Sequence, residues 1–146
     1  MNVRVESPIE GLLLEAICHE LARCRVDCTP QTQAKIGQYR VDILIELLGR
    51  KLVVECDGAA YHAANKEQVE RDKRRDRYFV AHDISVMRFT GAEISRSPRS
   101  CAAEVGEWVE SVQAARKTAI MEDYEAGKVS RIQACRAIRK NGLVEA

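Results

Sequence analysis

The sequence predicts an α/β domain: one helix, three antiparallel strands, a crossover helix and a fourth strand parallel to the third, followed by further helices. Three observations lead there. Ile9, Leu12, Leu13, Ala16, Ile17 and Leu21 recur at helical spacing. Residues 32–57 then change to apolar runs of strand length, punctuated by Gly37 and Gly49. Finally, the charged helical stretch "NKEQVERDKRRDRYFVAH" leads into the short apolar run "ISVMRF". A strand, a helix and another strand normally bring the second strand back parallel to the first, so the sheet is expected to be mixed.

Each element has a local cause. Ser7 can cap a helix that has Pro8 at its first position and Glu10 three residues after the cap, a capping box, and the apolar repeat carries this helix to about Arg23. After Thr29-Pro30 come strands at about 32–36, 39–47 and 51–57. Leu48, Gly49 and Arg50 are the candidates for the tip of the hairpin between the last two. A charged helix is expected over about 65–82, anchored by Val69, Phe79 and Val80, and then the fourth strand. Beyond Thr90-Gly91 a long helix is expected over about 97–126, with Val105, Trp108, Val109 and Val112 at core spacing and Gly127 as its stop. Ser130 can cap a last helix over 131–140 that ends at Asn141-Gly142. The expected division is a core over 1–96 and a helical extension over 97–146 that packs on it or projects from it.

At 146 residues the chain suits one hydrophobic core, and a net charge of +1 from 23 basic and 22 acidic residues excludes a polycation that coats nucleic acid by charge alone. Any polyanion must be met by a local patch. The six cysteines form no CxxC pair, and Cys18, His19, Cys24 and Cys28 match no common zinc spacing, so reduced thiols in the cytoplasm are expected. No apolar run approaches the ~18 residues of a membrane span, and no membrane partner is expected.

The chemistry concentrates in "KLVVECDGAAYH". Period-2 alternation puts Val53, Glu55 and Asp57 on one strand face, while Asp42 interrupts "VDILI" in the strand before. A Leu48-Gly49 turn would set Asp42 opposite Glu55, a Gly49-Arg50 turn would set it opposite Asp57, and a three-residue loop would flip the parity. Either two-residue turn gathers three carboxylates, which is costly without a counter-charge. Two compensations are open: a salt bridge to Arg40, Lys51 or a helix arginine, or a divalent cation, for which oxygen-only ligation suits Mg²⁺ or Mn²⁺. Glu10 can serve as the capping residue, join the carboxylates, or do both. His62, reached after Gly58 lets the chain turn, is a candidate base or proton carrier.

With "SPIE", "QYRVDILI", "KLVVECDGAAYH", "RDKRRDRYF" and "VMRFTGAEI" assembled in order over roughly 7–94, the chain resembles the PD-(D/E)XK nuclease superfamily, and more closely its branch similar to the very short patch repair endonucleases. The resemblance implies a restriction-endonuclease-like αβββαβ core with a mixed sheet. It also implies that Asp42 is the central metal-ligand aspartate, Glu55 the acidic residue of the (D/E)XK element and Glu10 the helix-one glutamate. The lysine usual at the third position of that element is replaced by Asp57. In the repair-endonuclease branch the corresponding turn carries histidines, and His62 is similar to the second of them; His62 and Lys66 are the candidates to assist the attacking water.

The expected function is a Mg²⁺- or Mn²⁺-dependent endonuclease that cuts or nicks DNA. Asp42, Glu55 and Asp57 would hold the metal. Lys66, Arg71, Arg74 and Arg75 of the charged helix would hold the backbone, together with Arg88, a cation placed inside an apolar strand. The alternative is a nucleic-acid-binding or protein-interaction module that keeps the fold without turnover. A homodimer or a partner protein would engage through the C-terminal helices.

Overall fold

The computed structural model of the chain describes residues 5–57 and 66–143. In order, it contains α1 (Pro8–Arg23), β1 (Gln31–Ile36), β2 (Tyr39–Leu47), β3 (Arg50–Asp57), α2 (Lys66–Ala81), β4 (Ile84–Thr90), α3 (Gly91–Arg96), α4 (Pro98–Glu125) and α5 (Arg131–Lys140). The four strands form one sheet in the order β1-β2-β3-β4, antiparallel except for the parallel β3–β4 pair. This is the mixed sheet expected of a helix-crossover connection.

Helix α1 begins where the capping residues place it. The Ser7 hydroxyl accepts from the Glu10 backbone N–H at 3.3 Å, with Pro8 in the first turn. The capping box closes differently from the expected one. The Glu10 carboxylate accepts the backbone N–H of Glu6 at 2.8 Å, one residue upstream of the cap. Leu13, Ile17 and Leu21, one helical turn apart, bury their side chains against the sheet and α4.

The β2–β3 hairpin turns on Leu48 and Gly49, both with positive φ (51° and 81°), inside the paired residues Leu47 and Arg50. Positive φ at both central positions is the two-residue type I′ geometry whose twist matches antiparallel strands, and glycine adopts it without steric cost. This turn fixes the register at Ile43 opposite Val54. Continued one step, it sets Asp42 opposite Glu55.

Two cores flank the sheet. On one side Leu13, Ile17, Ile43, Ile45, Leu52, Val54 and Phe89 join Ile94, Val105 and Val109 of the helices that follow β4. On the other, Phe79 of α2 packs with Val41, Leu44, Val53 and Ile84. Tyr39, Tyr78 and Phe79 meet edge to face, with ring centroids 5.1 to 6.0 Å apart, and seat α2 on the start of β2.

The region after β4 holds an additional helix. Residues 91–96 form α3, capped by a full box in which Thr90 Oγ1 accepts from the Glu93 N–H and the Glu93 carboxylate accepts from the Thr90 N–H. Six residues are too few for a periodic pattern to show, so the only sequence signal was the Thr90…Glu93 spacing itself. Helix α4 lies along α1, with Cys101, Ala102, Val105, Val109 and Val112 in the α1-side core. The Trp108 indole N–H donates to Ser85 Oγ on β4 at 3.2 Å. Helix α5 covers Ile120 and Leu48 with Ala134, Ile138 and the following Leu143. All six cysteines are free thiols, and among the described residues no helix is long and apolar enough to cross a membrane.

Candidate functional site

The acidic residues gather at one end of the sheet, where β2 begins and β3 ends. At this point β2 does not run as a regular strand. Thr32 pairs with Ile43 and Ala34 with Val41, but the intervening Gln33 has φ of +51°. Val41 packs into the α2-side core and Ile43 into the α1-side core, although residues two apart in a regular strand share a face. The strand therefore rolls at Asp42. Its Oδ2 accepts the Cys56 backbone N–H at 2.9 Å, the donor that a continued ladder would have given to a β2 carbonyl.

Glu55, opposite Asp42 and buried, points toward α2 and β4. Its Oε1 accepts from Arg75 and its Oε2 from Arg88 Nε at 3.3 Å. Arg88 also pairs with Asp76, and Arg75 donates to the Arg40 carbonyl at 3.1 Å and lies over the Phe79 ring at 5.4 Å. Burial and repulsion from Arg88 draw Arg75 below its ordinary range, opposed by Asp42, Asp76 and Tyr39. Arg75 Nε is buried with no acceptor among the described residues. A buried N–H left unpaired costs about 1–3 kcal/mol, which offsets part of what the Arg75–Glu55 ion pair contributes.

Of the three cations named as salt-bridge partners, the helix arginine takes Glu55. Arg40 is occupied by Glu6 and Gln33, and Lys51 by Glu46 at 3.0 Å.

Asp57 closes β3. Burial raises its carboxyl pKa, as do Asp42 and Asp72, while Arg88 opposes them. Glu10 is also buried here. Besides the Glu6 N–H it accepts from Gln33 Nε2 at 3.2 Å, so its capping role and its place beside the acidic cluster coexist. Cys56 registers the whole group. Burial first, then Asp42, Glu10, Asp57 and Cys101, push its thiol up to about 12. At pH 8 that leaves on the order of 10³-fold less thiolate than an ordinary cysteine near 8.5, partly offset by the greater nucleophilicity of a more basic thiolate. Iodoacetamide labelling of Cys56, followed by peptide mapping, should therefore be slow at pH 8 and climb tenfold per pH unit up to about pH 11.

Arg71, Arg74 and Arg75 line an open groove of about 610 Å³ with Gln38, Tyr39, Gln68 and Asp72. Lys66 is exposed at the start of α2. His62 lies outside the described residues. The structure thus brings together Asp42, Glu55, Asp57 and Glu10 with Arg75 and Arg88. Among the described residues, however, no three His, Cys, Asp or Glu side chains are close enough together to hold a metal ion. Gln33, which links Glu10 to Arg40, had no sequence signal; Asp76, which holds the far side of Arg88, lies in the "RDKRRDRYF" stretch of the resemblance, but its partner was not legible there. Both act through contacts distant in sequence, which spacing does not reveal.

A model of the restriction-endonuclease-like family REase_MTES_1575 matches residues 14–109, from α1 into α4. No curated protein and no solved structure matches the chain.

Proposed function

The chain belongs to the restriction-endonuclease-like family REase_MTES_1575, and from that premise we propose that it is a divalent-cation-dependent endonuclease hydrolysing DNA phosphodiesters. Family membership suggests a nuclease-type function. The finer reading, on the side of the very short patch repair endonucleases, draws on the motifs from "SPIE" to "VMRFTGAEI". Six free thiols fit a reducing, cytoplasmic setting.

One observation carries the reading: Asp42 and Asp57 stand together at the end of the sheet beside two arginines, with Asp57 pushed up by burial and by the like charges of Asp42 and Asp72. Burial together with repulsion that Arg88 only partly offsets favours a cation, and oxygen-only donors suit Mg²⁺ or Mn²⁺. Asp42 and Asp57 would hold it, with Glu55 joining after its guanidinium partners turn to substrate. A bound cation would offset the charge that develops on the scissile phosphate. Arg75 and Arg88 would take the non-bridging phosphate oxygens. Lys66, Arg71 and Arg74 would track the backbone, adding affinity without sequence choice. His62 or Lys66 would accept the proton of the attacking water as one ester oxygen leaves phosphorus.

A second reading is favoured by the two arginines on Glu55: a module that binds nucleic acid without cutting it. Conversion of supercoiled plasmid to nicked circles separates the two. The nuclease reading expects nicking in Mg²⁺ or Mn²⁺ that stops in EDTA. DNA binding with no cutting in either metal would leave the binding module as the better description.

A further inference from the structure

Helix α5 lies beyond the matched segment, and the candidate site does not use it. Between residues 126 and 143, Lys128, Arg131, Arg136, Arg139 and Lys140 occur with no Asp or Glu, in a chain whose net charge is +1. Lys128 is paired with Asp123 at 3.1 Å, but the four basic side chains of the helix itself are exposed and form no ion pair with the described residues. Ala134 and Ile138 face the core. Arg131, Arg136 and Arg139 face outward, lining a shallow cavity of about 280 Å³ with Ile132 and Cys135.

Arg139 and Lys140 in the last turn suit the helix dipole, but the charge at the other end of α5 does not. Arg131 opens α5 and no acidic residue occupies the first turn, whereas the positive end of the helix dipole prefers the reverse. Arg131 and Arg139 stand eight positions apart on one ridge, roughly 12 Å along the axis, which spans about three to four nucleotides at ~3.4 Å of rise each. An anionic membrane fits this face less well. Interfacial binding needs a broad apolar face, and outward-facing apolar surface on α5 is confined to Ile132 beside Cys135.

We propose that the outer face of α5 is a second DNA contact that grips the phosphate backbone away from the reaction site. The inference rests on the reading that DNA is the substrate. Because α5 packs beside the Leu48 turn, at the opposite end of β3 from Asp57, the two contacts are separated by the eight-residue strand, roughly 25 Å.

The test uses the full chain in EDTA, so that no DNA is cut, with a labelled 20-base-pair duplex followed by fluorescence anisotropy across a salt series. Each lost phosphate contact lowers the slope of log K against log salt by about 0.9. R131Q/R136Q/R139Q, which keeps good helix formers in α5, should lower that slope by roughly 2 to 3 and weaken binding at least tenfold near 0.1 M salt. Binding to phosphatidylserine vesicles should stay negligible for both proteins. Unchanged affinity and slope would overturn the α5 contact while leaving the nuclease reading standing, if the wild type nicks plasmid. Loss of vesicle binding with DNA binding intact would overturn it in favour of a membrane face. A wild type that binds no DNA would overturn the α5 contact, and one that also nicks no plasmid in Mg²⁺ or Mn²⁺ would remove the nuclease reading with it.

Discussion

Asp42→Ala is expected to lower plasmid nicking by on the order of 10³-fold, the scale of removing one essential electrostatic group from a reaction centre. The side chain has two separable roles. Its charge belongs to the acidic cluster that would bind the cation, and its Oδ2 accepts the Cys56 N–H. Alanine removes both and strands a half-buried donor, so it should also cost about 1–2 kcal/mol of stability. Asp42→Asn keeps a carbonyl oxygen for that N–H while discarding the charge. It should melt close to the wild type yet cut as poorly as alanine. Initial nicking rates in Mg²⁺ and Mn²⁺, set beside denaturant unfolding of both variants, test the two roles. An asparagine variant that cuts at the wild-type rate would exclude Asp42 from the reaction.

Glu55→Ala should be the more damaging change for folding. It leaves Arg75 and Arg88 facing each other with their shared acceptor gone, and the cost of breaking a buried pair is about 3–5 kcal/mol. Arg88 keeps Asp76 and its side chain is a third exposed, which brings the expectation to about 3 kcal/mol. The orphaned charge, rather than the missing carboxylate, is the cause. Glu55→Leu combined with Arg75→Met should therefore recover much of what either single change loses, a coupling that a double-mutant cycle from urea unfolding midpoints would read directly. A Glu55→Ala loss below about 1 kcal/mol, with no recovery in the pair, would show that the ion pairs contribute little to the fold.

Much of the architecture was legible because its causes are local. Ser7-Pro8 announces α1, a Leu48-Gly49 turn is one of two alternatives that keep strand parity, and Ser130 opens α5 at Arg131. Helix α3 was not legible as a helix, since a single capped turn and a half carries no repeat. The site divided in the same way. Alternation placed Glu55 and Asp57 on one face and the hairpin brought Asp42 opposite Glu55, but a shared face did not become a shared ligand sphere.

What each carboxylate touches follows from contacts that no short window contains. Arg75 reaches Glu55 across 20 residues and Arg88 reaches it across 33. Those pairings exist because Phe79 and Tyr78 seat α2 against β2 and because β4 returns parallel beside β3 with Arg88 next to Glu55. The roll of β2 at Asp42, opposite a Gln33 in left-handed backbone, likewise depends on two cores pulling Val41 and Ile43 to opposite sides. Turn geometry, capping and periodicity act over a few residues and can be read from them in order. The hydrogen-bond partners of a buried charge depend on how separate elements dock, and that is set only once both cores have packed.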